Sequence, residues 1–272
     1  MRFAKGHGTG NDFVILPDLD DQLELSPELV RRLCDRHTGI GADGVLRVVS
    51  GAAAPGLEAP WFMDYRNADG SVAEMCGNGI RVFARYLTDH GLAPGPELAI
   101  GTRAGVRIVR RVTDGSFSVD MGPATVTGTG TAVIGGRSYP GTAVNVGNPH
   151  LACLVTEPLA DLDLTVPPQV DPAAFPDGVN VELVRVTGDR SIELRVHERG
   201  SGETLSCGTG AVAAAVAGAA AAGQWPGAGQ DRWEVRVPGG ILAVIPDAAG
   251  SVLTGPAVLV ADGEWLDGDT PR

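Results

Sequence analysis

Two short motifs put a thiol directly ahead of a residue bracketed by glycines: Cys76-Gly77-Asn78-Gly79 and Cys207-Gly208-Thr209-Gly210. A run with helical character follows each, "IRVFARYLTDH" closed by Gly91 and "AVAAAVAGAAAA" closed by Gly223, so each cysteine stands at a helix start. A thiol there feels unpaired backbone N–H groups and the positive end of the helix dipole. Both favour thiolate, and they predict pKa values pulled from about 8.5 toward roughly 3.5–7.5. The glycines let a carboxylate approach the same N–H groups with no Cβ in the way. Each motif therefore offers a reactive sulfur beside an anion cradle. If the two helix ends face one cleft, one sulfur can take a proton from one face of a carbon while the other returns one to the opposite face. That inverts a stereocentre, and a carboxylate held by both ends would stabilise the carbanion-like transition state.

One cysteine beside glycine at a helix start is ordinarily packing; the repetition is what argues for chemistry. "NADGSVAEMCGNG" (67–79) answers to "HERGSGETLSCGTG" (197–210), "AGVRIV…MGPA" to "GGILAV…TGPA", and "GTGNDFVIL" around Asn11 to "VGNPHLACLV" around Asn148. The ordered echoes, offset by about 130–137 residues, predict two similar halves, 1–125 with Cys76 and 126–262 with Cys207. A tail, 263–272, would pack on the first half. Strand patterns dominate each half: "RSIELRVHE" and "RWEVRVPG" alternate at period two. A helix is predicted in "SPELVRRLCDRHTG", with Ser26 as N-cap and Pro27 at its first position. The fold class is α+β, two pseudo-symmetric domains, each a curved and mostly antiparallel sheet wrapped around a central helix. Cys34 on the first helix and Cys153 in the strand "LACLV" read as packed thiols.

Composition removes several classes. The 272 residues carry a net charge of −12 and no basic run, which argues against gripping nucleic acid. The longest weakly polar run, "AVAAAVAGAAAAG", has 13 residues and is too short to span a bilayer; with no signal-peptide pattern at the start, a soluble cytoplasmic protein is expected. The four cysteines lie far apart with no CxxC, which predicts reduced thiols and weakens a redox-pair reading. None of the five histidines has zinc-site spacing, so no metal is expected. The single lysine, Lys5, reads as part of the opening strand, so a pyridoxal Schiff base is not expected either. "GIGADG" (39–44) matches GxGxxG, but a helix precedes it and a strand follows, the reverse of a dinucleotide-binding turn. It is read as a loop.

Over nearly its whole length the chain resembles diaminopimelate epimerases, through "HGTGNDF", "RHTGIGADG", "NADGSVAEMCGNGIRVFARYL", "GNPH", "VNVE", "HERGSGET" and "CGTGA" in that order. The resemblance implies a cofactor-independent, metal-free epimerase that interconverts L,L- and meso-2,6-diaminoheptanedioate on the way to lysine and cell-wall precursors, and a homodimer. It makes Cys207 the base and Cys76 the acid in the L,L-to-meso direction. It puts substrate contacts on Asn11, Asn67, Gly77, Asn78, Asn148, Asn180, Glu198, Arg199, Gly208 and Thr209. It also makes His150 and Glu198 modulators of the cysteines. Arg199 has the planar fork that suits a distal carboxylate, and asparagines can serve both ends of a zwitterion. Asn67 also reads as a turn residue and His150 as a core histidine. The chain departs from some members at Gly44, where they carry a glutamine that contacts substrate. Two other readings stay open: a racemase of smaller acids such as proline on the same scaffold, and a thiol redox or ligand-binding protein without turnover. Asn78 and "ERGSGETLS" argue against the first.

Overall fold

A computed structural model describes residues 1–54, 56–226 and 231–266. The chain forms two compact units, Met1–Val119 together with the chain from Pro256 onward, and Asp120–Gly255.

In the first unit β1 (Arg2–Gly8) and β2 (Asn11–Pro17) make an antiparallel hairpin. Helix α1 (Pro27–Cys34) then leads to β3 (Gly44–Ser50), which lies parallel to β2. Strand β4 (Trp61–Asn67) returns antiparallel to β3, and α2 (Gly77–Asp89) carries the chain to β5 (Glu97–Thr102), parallel to β4. An antiparallel run through β6 (Gly105–Arg111) and β7 (Phe117–Gly122) follows. The second unit repeats this plan. After β8 (Thr125–Ile134) come β9 (Arg137–Asn145), β10 (Pro149–Leu154), the two-residue β11 (Gln169–Val170), β12 (Asn180–Gly188) and β13 (Ser191–Glu198). Short β14 (Gly202–Thr204) precedes α3 (Gly208–Ala221), then β15 (Trp233–Val237), β16 (Gly240–Ile245) and β17 (Ser251–Gly255). The pairings are the same in kind and order: β9–β10 antiparallel, β10–β12 parallel, β12–β13 antiparallel, β13–β15 parallel, then β15–β16–β17 antiparallel.

The expected boundaries shift at both ends of the second half, which runs from Asp120 to Gly255. β18 (Val258–Glu264) lies antiparallel to β1, Ala4 opposite Asp262, so the strand assigned to the second half by a limit at 262 belongs to the first. β8 makes the corresponding pairing on β9. Each covers an edge whose backbone groups would otherwise lack partners. Beyond β18, Trp265 exchanges backbone hydrogen bonds with Met1 and packs against the core cluster that contains Val14, Leu16 and Leu33; the rest of the 263–272 tail, from 267, lies outside the described residues.

The helices sit where local chemistry starts them. Ser26 caps α1, its side chain accepting from Leu29 N–H at 3.2 Å, and Pro27 opens the helix. α2 packs on β1–β4, β6 and β18, burying Ile80, Phe83 and Leu87. α3 packs on β9, β10, β12, β13 and β15–β17, with nearly every residue buried. Its alanines and glycines let strands approach on all sides; a Cβ on Gly218 would stand 2.7 Å from the Trp233 ring.

Candidate active site

Cys76 is the N-cap of α2, with extended backbone, and its sulfur accepts the Gly79 N–H at 3.4 Å. Asn11, at the start of β2, faces it. The Asn11 side-chain amide donates to Asp43 at 2.8 Å, which turns Oδ1 toward the Cys76 sulfur at 3.6 Å and the Asn78 amide at 3.3 Å. Asp43 is held in turn by Arg36, which also grips Asp12 with both Nη atoms. Burial works against the Asp12 charge, but hydrogen bonds from Arg36 and Lys5 hold its carboxyl well below the usual range. Lys5 is thus tied to Asp12 and to the Gly41 carbonyl.

Beneath this half-site lies Arg81, completely buried. Its guanidinium donates to the Gly77 carbonyl at 2.9 Å, Asn78 Oδ1 at 3.0 Å, Thr9 Oγ1 at 3.3 Å and the Pro256 carbonyl at 3.4 Å. All four acceptors are neutral. Burial pulls its pKa down to about 10, and the charge acting the other way is the Cys76 thiolate. By the reciprocity of the Coulomb interaction, Arg81 favours negative charge on Cys76. Thr9 adopts φ +51° at the β1–β2 tip, a conformation costly for a β-branched residue, and its hydroxyl is enclosed by Arg81 and Asn78.

Cys207 is the equivalent N-cap of α3, its sulfur accepting the Gly210 N–H at 3.3 Å. Thr209 Oγ1 is 3.5 Å from the sulfur and accepts from the Asn148 amide at 3.4 Å. Asn148 Oδ1 faces His150 Nε2 at 2.9 Å, and His150 Nδ1 faces Glu182 Oε1 at 2.7 Å. His150 and Glu182 are both completely buried, and Glu182 Oε2 has no hydrogen-bond partner. Here the expected direction of the thiol is reversed. Burial pushes the Cys207 thiol well up, Glu198 and Glu182 add to the rise, and the Thr209 and Gly210 hydrogen bonds only partly offset them. The dipole argument is local; the opposing carboxylates come from β12 and β13.

The remaining expected residues divide between the units. Asn67 ends β4 and its amide bonds Ser71 Oγ at 3.0 Å, within a turn. Opposite it on β3 is Gly44, where a Cβ would come within 2.6 Å of the Arg66 carbonyl and 2.8 Å of the Tyr65 ring, so the backbone itself excludes a side chain at this position. In the second unit, buried Asn180 accepts the Arg199 backbone N–H at 2.8 Å, and the exposed Arg199 guanidinium donates to the Asp177 carbonyl at 2.8 Å. Glu198 takes the Thr204 hydroxyl. The amides of Gly77 and Asn78 lie in the first turn of α2 and those of Gly208 and Thr209 in the first turn of α3, where helix N–H groups point out of the end. Cys34 and Cys153 are buried, and burial pushes each thiol up to about 12.

Sequence reasoning missed Arg81, Thr9 and Glu182. For Glu182 a signal existed: it lies two residues beyond Asn180 on the same strand face, among apolar neighbours in "NVELV". Among the described residues no helix is long and apolar enough to cross a membrane, and no group of three or more His, Cys, Asp or Glu could hold a metal ion.

Known proteins with the same architecture include a Bacillus anthracis phenazine biosynthesis protein of the PhzF family (TM-score 0.71, 16% identity, covering 98% of this chain and 99% of that one). Another is a probable proline racemase from Agrobacterium radiobacter K84 (TM-score 0.73, 16% identity, covering 99% and 94%). At such identity the likeness shows the fold alone. In sequence, the chain is 52% identical to the diaminopimelate epimerase of Thermobifida fusca over 97% of each chain. It is also 52% identical to that of Mycolicibacterium smegmatis, over 97% of this chain and 96% of the other. The diaminopimelate epimerase family model matches residues 3–127 and 142–260. With both cysteine-capped helices inside the matched segments, the chain belongs to the diaminopimelate epimerase family.

Proposed function

We propose that this protein interconverts L,L- and meso-2,6-diaminoheptanedioate with Cys76 and Cys207 as its two acid–base groups and no cofactor. One observation carries the reading: in equivalent places of two duplicated units, a helix begins at a cysteine whose sulfur takes the N–H three residues on. In the L,L-to-meso direction the Cys207 thiolate takes the α-proton and the Cys76 thiol delivers its own proton to the opposite face. The enzyme is left with Cys207 as thiol and Cys76 as thiolate, the state that runs the reverse reaction. The first-turn amides of α2 and α3 bind the carboxylate next to the reacting carbon, where negative charge develops. Asn180 positions the Arg199 backbone, and Arg199 meets the distal carboxylate. Asn11, Asn67, Asn148 and Glu198 supply the remaining polar contacts, while His150 and Glu198 set the charge around Cys207. A homodimer and a cytoplasmic location complete the reading; sedimentation would read the first.

The test is isotope exchange. Protein incubated with L,L-diaminopimelate in D2O should wash out the α-proton and yield the meso isomer by NMR. An unchanged spectrum from reduced, folded protein would sink the proposal. Rate against pH should be bell-shaped, since one sulfur must be thiolate while the other is thiol, and its limits belong to the coupled pair.

A further inference from the structure

The duplication lets each position around one cysteine be compared with its counterpart around the other. Phe13 pairs with Gly44 across β2 and β3, and His150 with Asn180 across β10 and β12. Leu46 and Glu182 stand two residues further along β3 and β12, and Gly79 and Gly210 each follow their cysteine by three. A Cβ on Gly79 would lie 3.3 Å from Leu46 and 3.4 Å from Phe13; one on Gly210 would lie 2.9 Å from Glu182 Oε1. The first unit thus packs its helix start with a Phe–Leu pair, and the second fills the same places with His–Glu. Packing alone does not require the ionisable pair.

We propose that Glu182 and His150 share one proton as a net-neutral pair that fixes donor direction along Asn148 and Thr209, so that the Thr209 hydroxyl hydrogen is aimed at a Cys207 thiolate. The inference rests on the epimerase reading for its purpose but not for its test. Asn148 turns Oδ1 to His150 and its amide N–H to Thr209, so His150 Nε2 must carry hydrogen. One further proton lies between Nδ1 and Oε1. Thr209 Oγ1 then accepts from Asn148, and its own hydrogen points to the sulfur. The buried, unpartnered Oε2 suits a neutral carboxyl better than a carboxylate, and burial pushes the Glu182 carboxyl up. The ionisable groups acting on Cys207 are Glu198 from β13 and Glu182 from β12, with His150 from β10 hydrogen-bonded to Glu182. Glu182 is a positioning residue, since it acts through the other side chains.

The experiment is the pH midpoint of Cys207 alkylation by iodoacetamide, read peptide by peptide by mass spectrometry, which does not require turnover. Glu182→Leu frees the imidazole and should raise the midpoint by about one pH unit, the loss of one oriented donor to a thiolate. Glu182→Gln, whose amide can donate to Nδ1 as the protonated acid does, should leave it in place. A midpoint that falls in both variants would mean that Glu182 acts as a lone carboxylate, and would overturn the proposal. So would an unmoved midpoint in Glu182→Leu. Should that variant not fold, His150→Phe with Glu182→Leu restores the pair that the first unit carries and should show the same rise. Should neither fold, Glu182→Gln decides alone. Absent proton exchange in wild-type protein alongside these shifts would refute the epimerase reading and leave this inference standing.

Discussion

Arg81 is a buried cation with no carboxylate partner among the described residues, and replacing it tests whether its charge serves Cys76. Glutamine at 81 keeps some hydrogen bonding and removes the charge; lysine keeps the charge and loses the fork. A nearby opposite charge shifts an acid by about 1–3 units. Cys76 is half-buried, so solvent screens part of this and the low end applies: about one unit, or about 1.4 kcal/mol. In Arg81→Gln the alkylation midpoint of Cys76 should rise by that amount. The thiolate fraction at neutral pH would then fall about tenfold, and with it kcat/KM in the meso-to-L,L direction, for which the proposed mechanism makes Cys76 the base. Arg81→Lys should hold the midpoint. Both variants lose some of the hydrogen bonds to the Gly77 and Pro256 carbonyls, Asn78 and Thr9, each worth about 1 kcal/mol, partly offset by the relieved burial of a guanidinium. A loss of about 1–3 kcal/mol in urea unfolding is expected of both. Folded Arg81→Gln with the wild-type midpoint, or equal shifts in the two variants, would refute the reasoning.

Gly44→Gln should destabilise by about 1–3 kcal/mol because its Cβ meets the Arg66 carbonyl; wild-type urea stability would show that the strand yields freely. Asp64 is buried under Arg47, Arg66 and Arg103. Burial would raise its carboxyl, yet hydrogen bonds from Arg66 and Arg103 hold it below the usual range. Its folded value is depressed, so its stabilisation is present above the unfolded value near 4 and is lost as pH falls through the folded value. Asp64→Asn should therefore cost about 3 kcal/mol at pH 7 and flatten the acid limb of a stability–pH curve; an unchanged limb would contradict the assignment. With their thiols pushed up to about 12, Cys34 and Cys153 should stay unmodified in native protein under iodoacetamide at pH 8, as peptide mapping would show.

Much of the fold was legible because helix starts are local events. Ser26-Pro27, Cys76-Gly77 and Cys207-Gly208 carry their capping chemistry within a few residues. The pairing of β18 with β1 was not legible: it joins opposite ends of the chain through backbone groups that nearly every residue type possesses. The site divided along the same line. Both sulfurs stood out by repetition, whereas the upward push on Cys207 comes first from its burial and then from Glu198 and Glu182, on strands apart in sequence. Glu182 in "NVELV" looks like the solvent phase of a strand until α3 covers that face, and Arg81 like the polar side of a helix until β1 and β18 close over it.

A two-base inversion asks one scaffold for two things that conflict. Its sulfurs must present equivalent geometry to opposite faces of a carbon, yet at any instant one must be thiolate and the other thiol. Duplication gives each unit a matching cap, matching glycines and matching strand order. The units differ in buried side chains close to those caps. Arg81, five residues after Cys76, has Val212 as its counterpart five after Cys207, and both are completely buried. Phe13 and Leu46 answer to His150 and Glu182. If the scaffold alone governed these positions, the apolar member of each pair would do in both units, since burying a charge or an ionisable pair is costly. The polar substitutions therefore point to the proton inventory rather than to the fold. Exchanging them for their counterparts should move alkylation midpoints further than it moves stability.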